Sequence, residues 1–202
     1  IDSRNGMVAT PGLLRGWENV PIAESLRTRI EVPVFVDNEA NLGGLAEVRF
    51  GAARGADVAA YIEVGHSISA GLLIDGALFR GVTGKAGQIG HVTIDENGPI
   101  CRCGGRGCLD TLASGPALLE LFRDDPGMQR MSDLLVMAEA GDASARRVIA
   151  DAGRHIGTAA ASLCNLFDPQ LLVLGGELSQ AGETLLAPLR HALERSALAG
   201  RD

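Results

Sequence analysis

The chain has 202 residues, of which 46% are hydrophobic, 21% charged and 3% aromatic. This apolar content is enough for a folded core and excludes a disordered tail, and no apolar run reaches the length of a membrane span. The 18 basic and 25 acidic residues leave a net charge of −7, which argues against this segment itself gripping a nucleic-acid backbone.

The first part of the chain predicts a helix over 22–30, a strand over 32–36 and a helix over 38–50. The strand prediction rests on a β-branched run around Pro33. In the second helix, the apolar residues recur at helical spacing; they are Leu42, Leu45, Ala46 and Phe50. A second strand is predicted over 58–64.

The middle of the chain predicts a hairpin followed by an irregular segment. The strands 71–74 and 77–79 flank Asp75-Gly76, a pair suited to a type I′ turn because both central residues need a positive φ. Residues 81–110 are rich in glycine and contain three of the four cysteines, so we expect an irregular region there.

The last part of the chain predicts mainly helices. Helices are expected over 116–123, 131–140, 143–167 and 183–198, with a buried strand over 171–174 that ends in Gly175-Gly176. Asp168-Pro169 is expected to stop the long third helix. Strands that alternate with helices indicate an α/β domain.

One histidine and three cysteines form the sharpest chemical pattern. His91, Cys101, Cys103 and Cys108 stand at offsets 0, +10, +12 and +17. One imidazole and three thiolates make the closed tetrahedral set that structural Zn²⁺ prefers, and the intervening glycines allow a tight loop. Two alternatives remain open: reduced thiols in a mobile loop, and a disulfide between Cys101 and Cys108, which an intracellular compartment would disfavour.

The same segment carries a family resemblance. Residues 87–114, GQIGHVTIDENGPICRCGGRGCLDTLAS, resemble the signature of the ROK family of sugar kinases and sugar-responsive repressors. That signature reads roughly G-E-I-G-H and then C-x-C-G-x-x-G-C-[LIV]-E, and the spacing matches without a gap. Four further stretches resemble the family in the same order; they are 10–26, 36–55, 63–87 and 165–182.

The resemblance implies an α/β, actin-like, ribonuclease-H-like ATPase fold in which two lobes close on a cleft. We expect residues 1–36 to be the end of the first lobe and the hinge, and residues 37–202 to be the second lobe, with the zinc and sugar motif at 84–112. The chain opens at Ile1 rather than Met. We therefore expect an interior piece of a longer protein, lacking an upstream DNA-binding segment and first phosphate loop; a complete small domain is the alternative.

The catalytic position of the family is altered. Kinases of the family take their general base from the Asp of N-D-A-N, and the aligned residues 38–41 read Asn-Glu-Ala-Asn. Glu39 is one methylene longer, and a misplacement of about 1 Å can cost on the order of 10²-fold in rate. Three interpretations of Glu39 stay open: a solvated carboxylate at a helix N-terminus, a sugar contact, and a working base.

The expected nucleotide side is degenerate. The family's G-T-G-x-G-G-G loop aligns with residues 65–71, GHSISAG, in which only Gly65 and Gly71 keep the glycines. Side chains there would crowd a backbone that must approach phosphate closely, so an ordinary strand connection is expected. Gly175 and Gly176 remain nucleotide-like, although a Gly-Gly pair after a strand is also plain turn chemistry.

The sugar side is altered but stays polar. By resemblance, the sugar hydroxyls are bound by Asn38, Gln88, His91 and Asp110, with Glu39 beside them. Gln88 and Asp110 each stand where the family has Glu, which puts a glucose-like specificity in doubt. The alternative is that these two side chains only bond to the glycine loop. His91 would hold zinc through one ring nitrogen and a hydroxyl through the other.

Together these patterns predict a catalytically degenerate, effector-binding and oligomerisation part of a cytoplasmic ROK-type repressor. The expected partners are a sugar or sugar-phosphate effector, operator DNA through an upstream domain, and a second copy in a homodimer or higher oligomer; a membrane is not expected. The main alternative is an ATP-dependent sugar kinase with Glu39 as base, for which ATP and Mg²⁺ would be needed. A zinc-stapled module without ligand is the third hypothesis.

Overall fold

The structure is a computed structural model that describes residues 1–8 and 16–198. Seven helices occupy Ile22–Arg27 (α1), Glu39–Phe50 (α2), Asp110–Ala113 (α3), Gly115–Glu120 (α4), Met131–Glu139 (α5), Ala143–Phe167 (α6) and Glu183–Ser196 (α7). Four strands occupy Val58–Val64 (β1), Ile68–Ile74 (β2), Ala77–Leu78 (β3) and Leu171–Gly175 (β4). None of the helices in the described residues is both long and apolar enough to cross a membrane.

The strands form one mixed sheet in the order β3-β2-β1-β4. β1 pairs antiparallel with β2 and parallel with β4, and β2 pairs antiparallel with β3. The predicted hairpin is confirmed, since Asp75 and Gly76 have φ values of 51° and 69°. β4 is confirmed as a strand but is half-buried rather than buried, because it pairs with β1 alone at an edge of the described sheet.

The two faces of the sheet pack against different partners. Ala60, Ile62 and Val64 alternate along β1 and join the main core with the helices after residue 109. The opposite face lies against α2, where Gly43 and Gly44 bring the helix close to Tyr61. This alternation places Tyr61 and Glu63 on the α2 side of the sheet.

The long helix α6 begins and ends as predicted. The Asp142 side chain accepts hydrogen bonds from the Ser144 and Ala145 backbone N–H groups at 2.8 and 2.9 Å, which caps the N-terminus. Asp168 adopts the left-handed conformation at the C-terminus. Gly153 and Gly157 let α7 approach closely, since a Cβ at either position would overlap a carbonyl oxygen of α7.

Three predictions about the first 50 residues have different outcomes. Residues 32–36 are not a strand: no strand of the described residues runs beside them to supply hydrogen bonds, and the Phe35 side chain is 87% exposed. Residues 10–15 of the predicted pre-hinge stretch lie outside the described residues. The helix over 38–50 is confirmed as α2, but it buries Ala40, Asn41 and Gly44 while Phe50 is exposed.

Smaller differences concern helix ends. The helices predicted over 22–30 and 116–123 end earlier, at Arg27 and Glu120. The short helix α3 was not predicted, because it follows the cysteines directly within the glycine-rich segment. Leu166, in the last turn of α6, is 88% exposed.

Candidate functional site

The four predicted metal-binding residues come together in space. The ligand atoms of His91, Cys101, Cys103 and Cys108 all lie within 4.8 Å of one another. His91 Nδ1 is 3.6 Å from Cys101 Sγ, and Cys103 Sγ is 3.7 Å from Cys108 Sγ. Tetrahedral zinc with Zn–S bonds of about 2.3 Å puts two sulfurs about 3.8 Å apart. A disulfide would need about 2.05 Å. The Cys103–Cys108 distance therefore fits a metal ion, and Cys101 and Cys108 are both free in the structure, so the disulfide alternative is not formed.

Backbone hydrogen bonds fold the loop around the donors. Isolated bridges pair Thr93 with Cys108 and Ile100 with Arg106. The Cys101 N–H donates to the Gly105 carbonyl at 2.8 Å, and the Gly105 N–H donates to Cys103 Sγ at 3.4 Å. These bonds hold the cysteines in place although the segment contains almost no regular secondary structure.

The cysteines differ in their surroundings. Burial, together with hydrogen bonds to Cys103 and Cys101, raises the pKa of the buried Cys108 thiol to about 12. The Gly105 N–H lowers the pKa of the exposed Cys103 thiol. Metal binding requires thiolates, so loading this set releases protons. Cys164 lies outside the cluster on α6, and burial raises the pKa of its thiol.

Three segments that carry predicted sugar-binding residues form hydrogen bonds with strand β2. The Ile68 N–H donates to Asp110 Oδ1 at 2.8 Å, and the Ala70 N–H donates to the Gly87 carbonyl at 2.7 Å. Between them, the Ser69 hydroxyl donates to Asn38 Oδ1 at 3.3 Å. Residues 68–70 thus hold three segments close together: the start of α2, the turn before Gln88 and the start of α3.

Glycines make this convergence possible. A Cβ at Gly71 would overlap the Ala40 carbonyl, and one at Gly87 would overlap the Ala70 carbonyl. A Cβ at Gly90 would overlap both the Ile68 carbonyl and the Asp110 carboxylate. Gly71, predicted on the nucleotide side, lies within β2 and makes room for the backbone of α2.

The predicted sugar-side residues differ in exposure. Asn38 caps α2 by accepting the Ala40 N–H at 2.9 Å, and Glu39, the first residue of α2, is exposed. Gln88 is exposed before the 3₁₀ turn Ile89–His91, and the half-buried His91 has its Nδ1 edge toward Cys101. The carboxylate of Asp110 is 8% exposed and lies 3.4 Å from an Arg102 nitrogen.

Sequence reasoning missed an ion pair next to Asn38. Arg80 donates to Asp37 Oδ2 through Nε at 2.9 Å and Nη2 at 2.6 Å. Asp37 Oδ1 accepts the Asn38 N–H at 2.8 Å and the Asn41 amide at 2.7 Å. Burial alone would raise the pKa of Asp37, but these hydrogen bonds and the Arg80 charge hold it below its usual value.

A groove of about 770 Å³ opens beside this pair. Its polar lining includes Asp37 and Arg80 together with Ser3 and Arg4, and its apolar lining includes Phe35, Leu42 and Phe79. It borders the predicted sugar side at residue 37 and does not include Gln88, His91 or Asp110.

The predicted phosphate loop is a three-residue connection. β1 and β2 pair up to Val64 and Ile68, so only Gly65, His66 and Ser67 lie between them. The Gly65 N–H donates to the Ser67 carbonyl at 3.2 Å and closes the turn. On the neighbouring strand, Gly175 ends β4, and Gly176 follows it with a φ of 87°.

A buried carboxylate on β1 was also missed. Glu63 is 9% exposed, and its Oε2 accepts a 2.7 Å hydrogen bond from the Tyr61 hydroxyl. Burial, followed by the bond to Glu63, raises the pKa of the Tyr61 phenol, which keeps it a donor. The available signal was the sequence VAAYIEV, in which Glu63 is the one charged residue of a strand.

Comparisons with known proteins agree on a family. A sequence profile described as the ROK family matches residues 1–201. The chain is 36% identical over 199 residues to a glucokinase of Halalkalibacterium halodurans, covering 91% of this chain and 60% of the relative. It is 33% identical over 190 residues to a xylose repressor of Bacillus subtilis, covering 94% and 49%. The chain thus spans about half to three fifths of the length of these curated relatives.

A solved structure agrees with the described fold. The structure of a glucokinase from Streptomyces griseus in complex with glucose and AMPPNP superposes with a TM-score of 0.87 at 29% identity. The superposition covers 100% of this chain and 70% of that one. The predicted actin-like α/β fold is confirmed.

Proposed function

The chain belongs to the ROK family, and we propose that it forms the sugar-binding and oligomerisation part of a ROK-type transcriptional repressor that no longer transfers phosphate. One observation carries this proposal. The segments that bear the sugar-side residues bond to β2, and a closed metal donor set lies in the loop between them, whereas the connection at the expected phosphate site is a short turn bearing His66 and Ser67.

In this proposal, Asn38, Gln88, His91 and Asp110 bind the sugar hydroxyls. Asp110 is supported on one oxygen by the Ile68 N–H and faces Arg102 with the other. The amide of Gln88 both donates and accepts, which matches the two-way hydrogen bonding of hydroxyl groups.

The donor set suits structural zinc, because one imidazole and three cysteines leave no open coordination position. Zinc, when bound, would supply folding energy and hold the His91 ring in one orientation and tautomer. With Nδ1 toward the cysteines, Nε2 of His91 is the nitrogen available to a sugar hydroxyl. Arg102 and Arg106 would partly offset the negative charge of a three-thiolate centre.

At the level of the whole protein, residues 1–36 would end a first lobe and act as a hinge, and residues 37–202 would form the second lobe. Sugar binding would change lobe closure or the geometry of a homodimer, and thereby the spacing of upstream DNA-binding domains on an operator in the cytoplasm. A ligand shifts such an equilibrium only by its differential affinity for the two states.

Calorimetry with the full-length protein tests the proposal. A panel of aldoses, amino sugars and sugar phosphates should include a ligand that binds saturably and changes operator affinity, with no sugar-dependent ATP turnover. Gln88→Ala should weaken that ligand's binding at least tenfold, whereas Gln180→Ala, another exposed amide, should leave it unchanged. Sugar-dependent ATP turnover at ordinary enzymatic rates would overturn the repressor proposal.

A sugar kinase is the second candidate, and the similarity to two glucokinases favours it. Glu39 would then be the general base at the N-terminus of α2. If Glu39 is the base, Glu39→Gln would abolish turnover while leaving sugar affinity nearly intact. If Glu39 is only a solvated carboxylate, the same substitution would leave turnover nearly unchanged.

A further inference from the structure

The cleft between β1 and β4 has the position of a ligand site. These two strands are parallel neighbours, and Gly65 and Gly176 follow their carboxyl ends. Open α/β sheets bind ligands just outside such strand ends. Backbone N–H groups at glycine-rich turns in this position favour an anion. The side chain that shares this space is Glu63.

Tyr61 holds Glu63 in place. The Tyr61 ring fits between α2 and β4, because a Cβ at either Gly43 or Gly175 would overlap it. A ring clamped on both sides leaves its hydroxyl at one position, where it donates to Glu63 Oε2 at 2.7 Å. One oxygen of the carboxylate is therefore fixed, and the direction of the other is fixed with it.

The other oxygen points to the cleft. A Cβ built on Gly176 would overlap Glu63 Oε1, and one built on Gly65 would lie 3.5 Å from it. Oε1 thus lies between the two glycines that follow β1 and β4. A buried carboxylate held there places negative charge where the phosphates of a nucleotide would need to approach, and charges near a protein interior interact more strongly than in water.

We propose that Glu63 is a specificity-determining residue that bars polyphosphates from this cleft, and that Tyr61 positions it. The inference rests on the proposed function, in which sugar binds without a nucleotide. Nucleotide binding would then meet two barriers. The first is the side chains of the 65–67 turn, and the second is the negative charge of Glu63.

Four full-length proteins test this assignment: the native sequence, Glu63→Gln, the turn variant His66→Thr with Ser67→Gly, and the combination of both. Glu63→Gln keeps the shape of the side chain and removes its charge. Binding of ATP is measured by displacement of a fluorescent ATP analogue at low and high salt. In the turn-variant background, Glu63→Gln should tighten ATP binding at least about tenfold, and the gain should shrink at high salt.

Two further variants and a folding check show whether a change in ATP binding comes from the charge of Glu63. Glu139→Gln removes an exposed carboxylate from α5 and should leave ATP binding unchanged. Tyr61→Phe keeps the clamped ring but releases the carboxylate, so we expect a smaller gain in ATP affinity that depends on salt in the same way. Thermal melting of every variant checks that the fold persists.

Equal ATP binding with and without Glu63→Gln, including no binding in either, would overturn the inference. An equal gain for adenosine, which carries no phosphate, would also overturn it, because the barrier would then not act on charge. Sugar titrations on the same samples report on the proposed function separately. If the native protein binds no sugar, the proposed function is refuted. If it binds sugar but Glu63→Gln does not change ATP binding, only the role of Glu63 is refuted.

Discussion

The proposed sugar side of this domain and the segments expected on its nucleotide side are built in opposite ways. On the sugar side, three consecutive residues of β2 bond to three separate segments, and the four donors of the metal cluster close the adjoining loop. On the nucleotide side, a three-residue turn and a Gly-Gly pair face one buried carboxylate. A site bonded to several segments tolerates little change. The 65–67 turn is held by backbone hydrogen bonds, one within the turn and one from the Gly115 N–H to the Gly65 carbonyl, so its side chains can vary while the sheet persists.

The strongest test of this contrast is removal of the metal. Stripping zinc, or replacing Cys108 by Ser, should unfold residues 84–112, because the binding energy of a structural metal is folding energy. We expect a loss of about 3 kcal/mol or more, which lowers Tm by roughly 6–12 °C for a chain of this size. Differential scanning calorimetry on metal-free samples, checked by elemental analysis, measures the change. Cys164→Ala is the matched control, and equal melting with and without metal would refute the prediction.

Glycine substitutions compare the two sides directly. Gly90→Ala forces a Cβ into the Ile68 carbonyl and the Asp110 carboxylate, so we expect a loss of about 1–3 kcal/mol in the free energy of unfolding. Gly65→Ala meets only Glu63 Oε1, at 3.5 Å, and should change stability by less than about 1 kcal/mol. Urea denaturation gives both values. Equal losses in the free energy of unfolding for Gly90→Ala and Gly65→Ala would show that the two sides are equally constrained.

The Asp37–Arg80 pair gives a pH-dependent test at the border of the sugar side. Because the pKa of Asp37 is lowered in the folded protein, its stabilisation is complete above the ordinary carboxyl pKa of about 3.9 and is lost as the pH falls through the folded value. Asp37→Asn should therefore cost about 1–2 kcal/mol at pH 7, and the difference should shrink toward pH 3. Urea midpoints across this range measure it.

The control for this pair is Asp124→Asn, which alters a 99% exposed carboxylate and should leave both ends of the pH range nearly unchanged. A deficit in Asp37→Asn that stays constant from pH 7 to pH 3 would show that the ion pair is not its source.

The smallest effect is expected at the turn. His66 is exposed, so His66→Ala should change the free energy of unfolding by no more than about 0.5 kcal/mol. A loss above about 1 kcal/mol, measured by urea denaturation, would mean that the turn is as constrained as the zinc loop.

Local signals predicted much of the fold. β1, α6 and the Asp75-Gly76 hairpin follow from an apolar run, from helical spacing with its stop signal, and from turn chemistry, all of which act within a few residues. Residues 32–36 show where such signals fail. A β-branched run becomes a strand only beside another strand, and the sequence of the run does not show whether one is there.

The sequence predicted which residues belong to the candidate site, but not how their side chains pair in space. The spacing of His91 and the cysteines sufficed for the metal cluster, because short loops bring such donors together. The pairing of Tyr61 with Glu63 and of Asp37 with Arg80 escaped prediction, since each depends on which elements pack around a polar side chain. Gly71 matched a phosphate-loop pattern, yet its surroundings are the backbone of α2.

The pairing register of β1 and β2 has a consequence for how this protein changes over generations. Glu63 stands directly opposite Ser69, whose hydroxyl bonds to Asn38. The Cβ atoms of such opposed residues lie about 5 Å apart on the same face of a sheet. Substitutions at positions 63 and 69 will therefore be non-additive. A substitution at one of these positions therefore changes which substitutions are tolerated at the other.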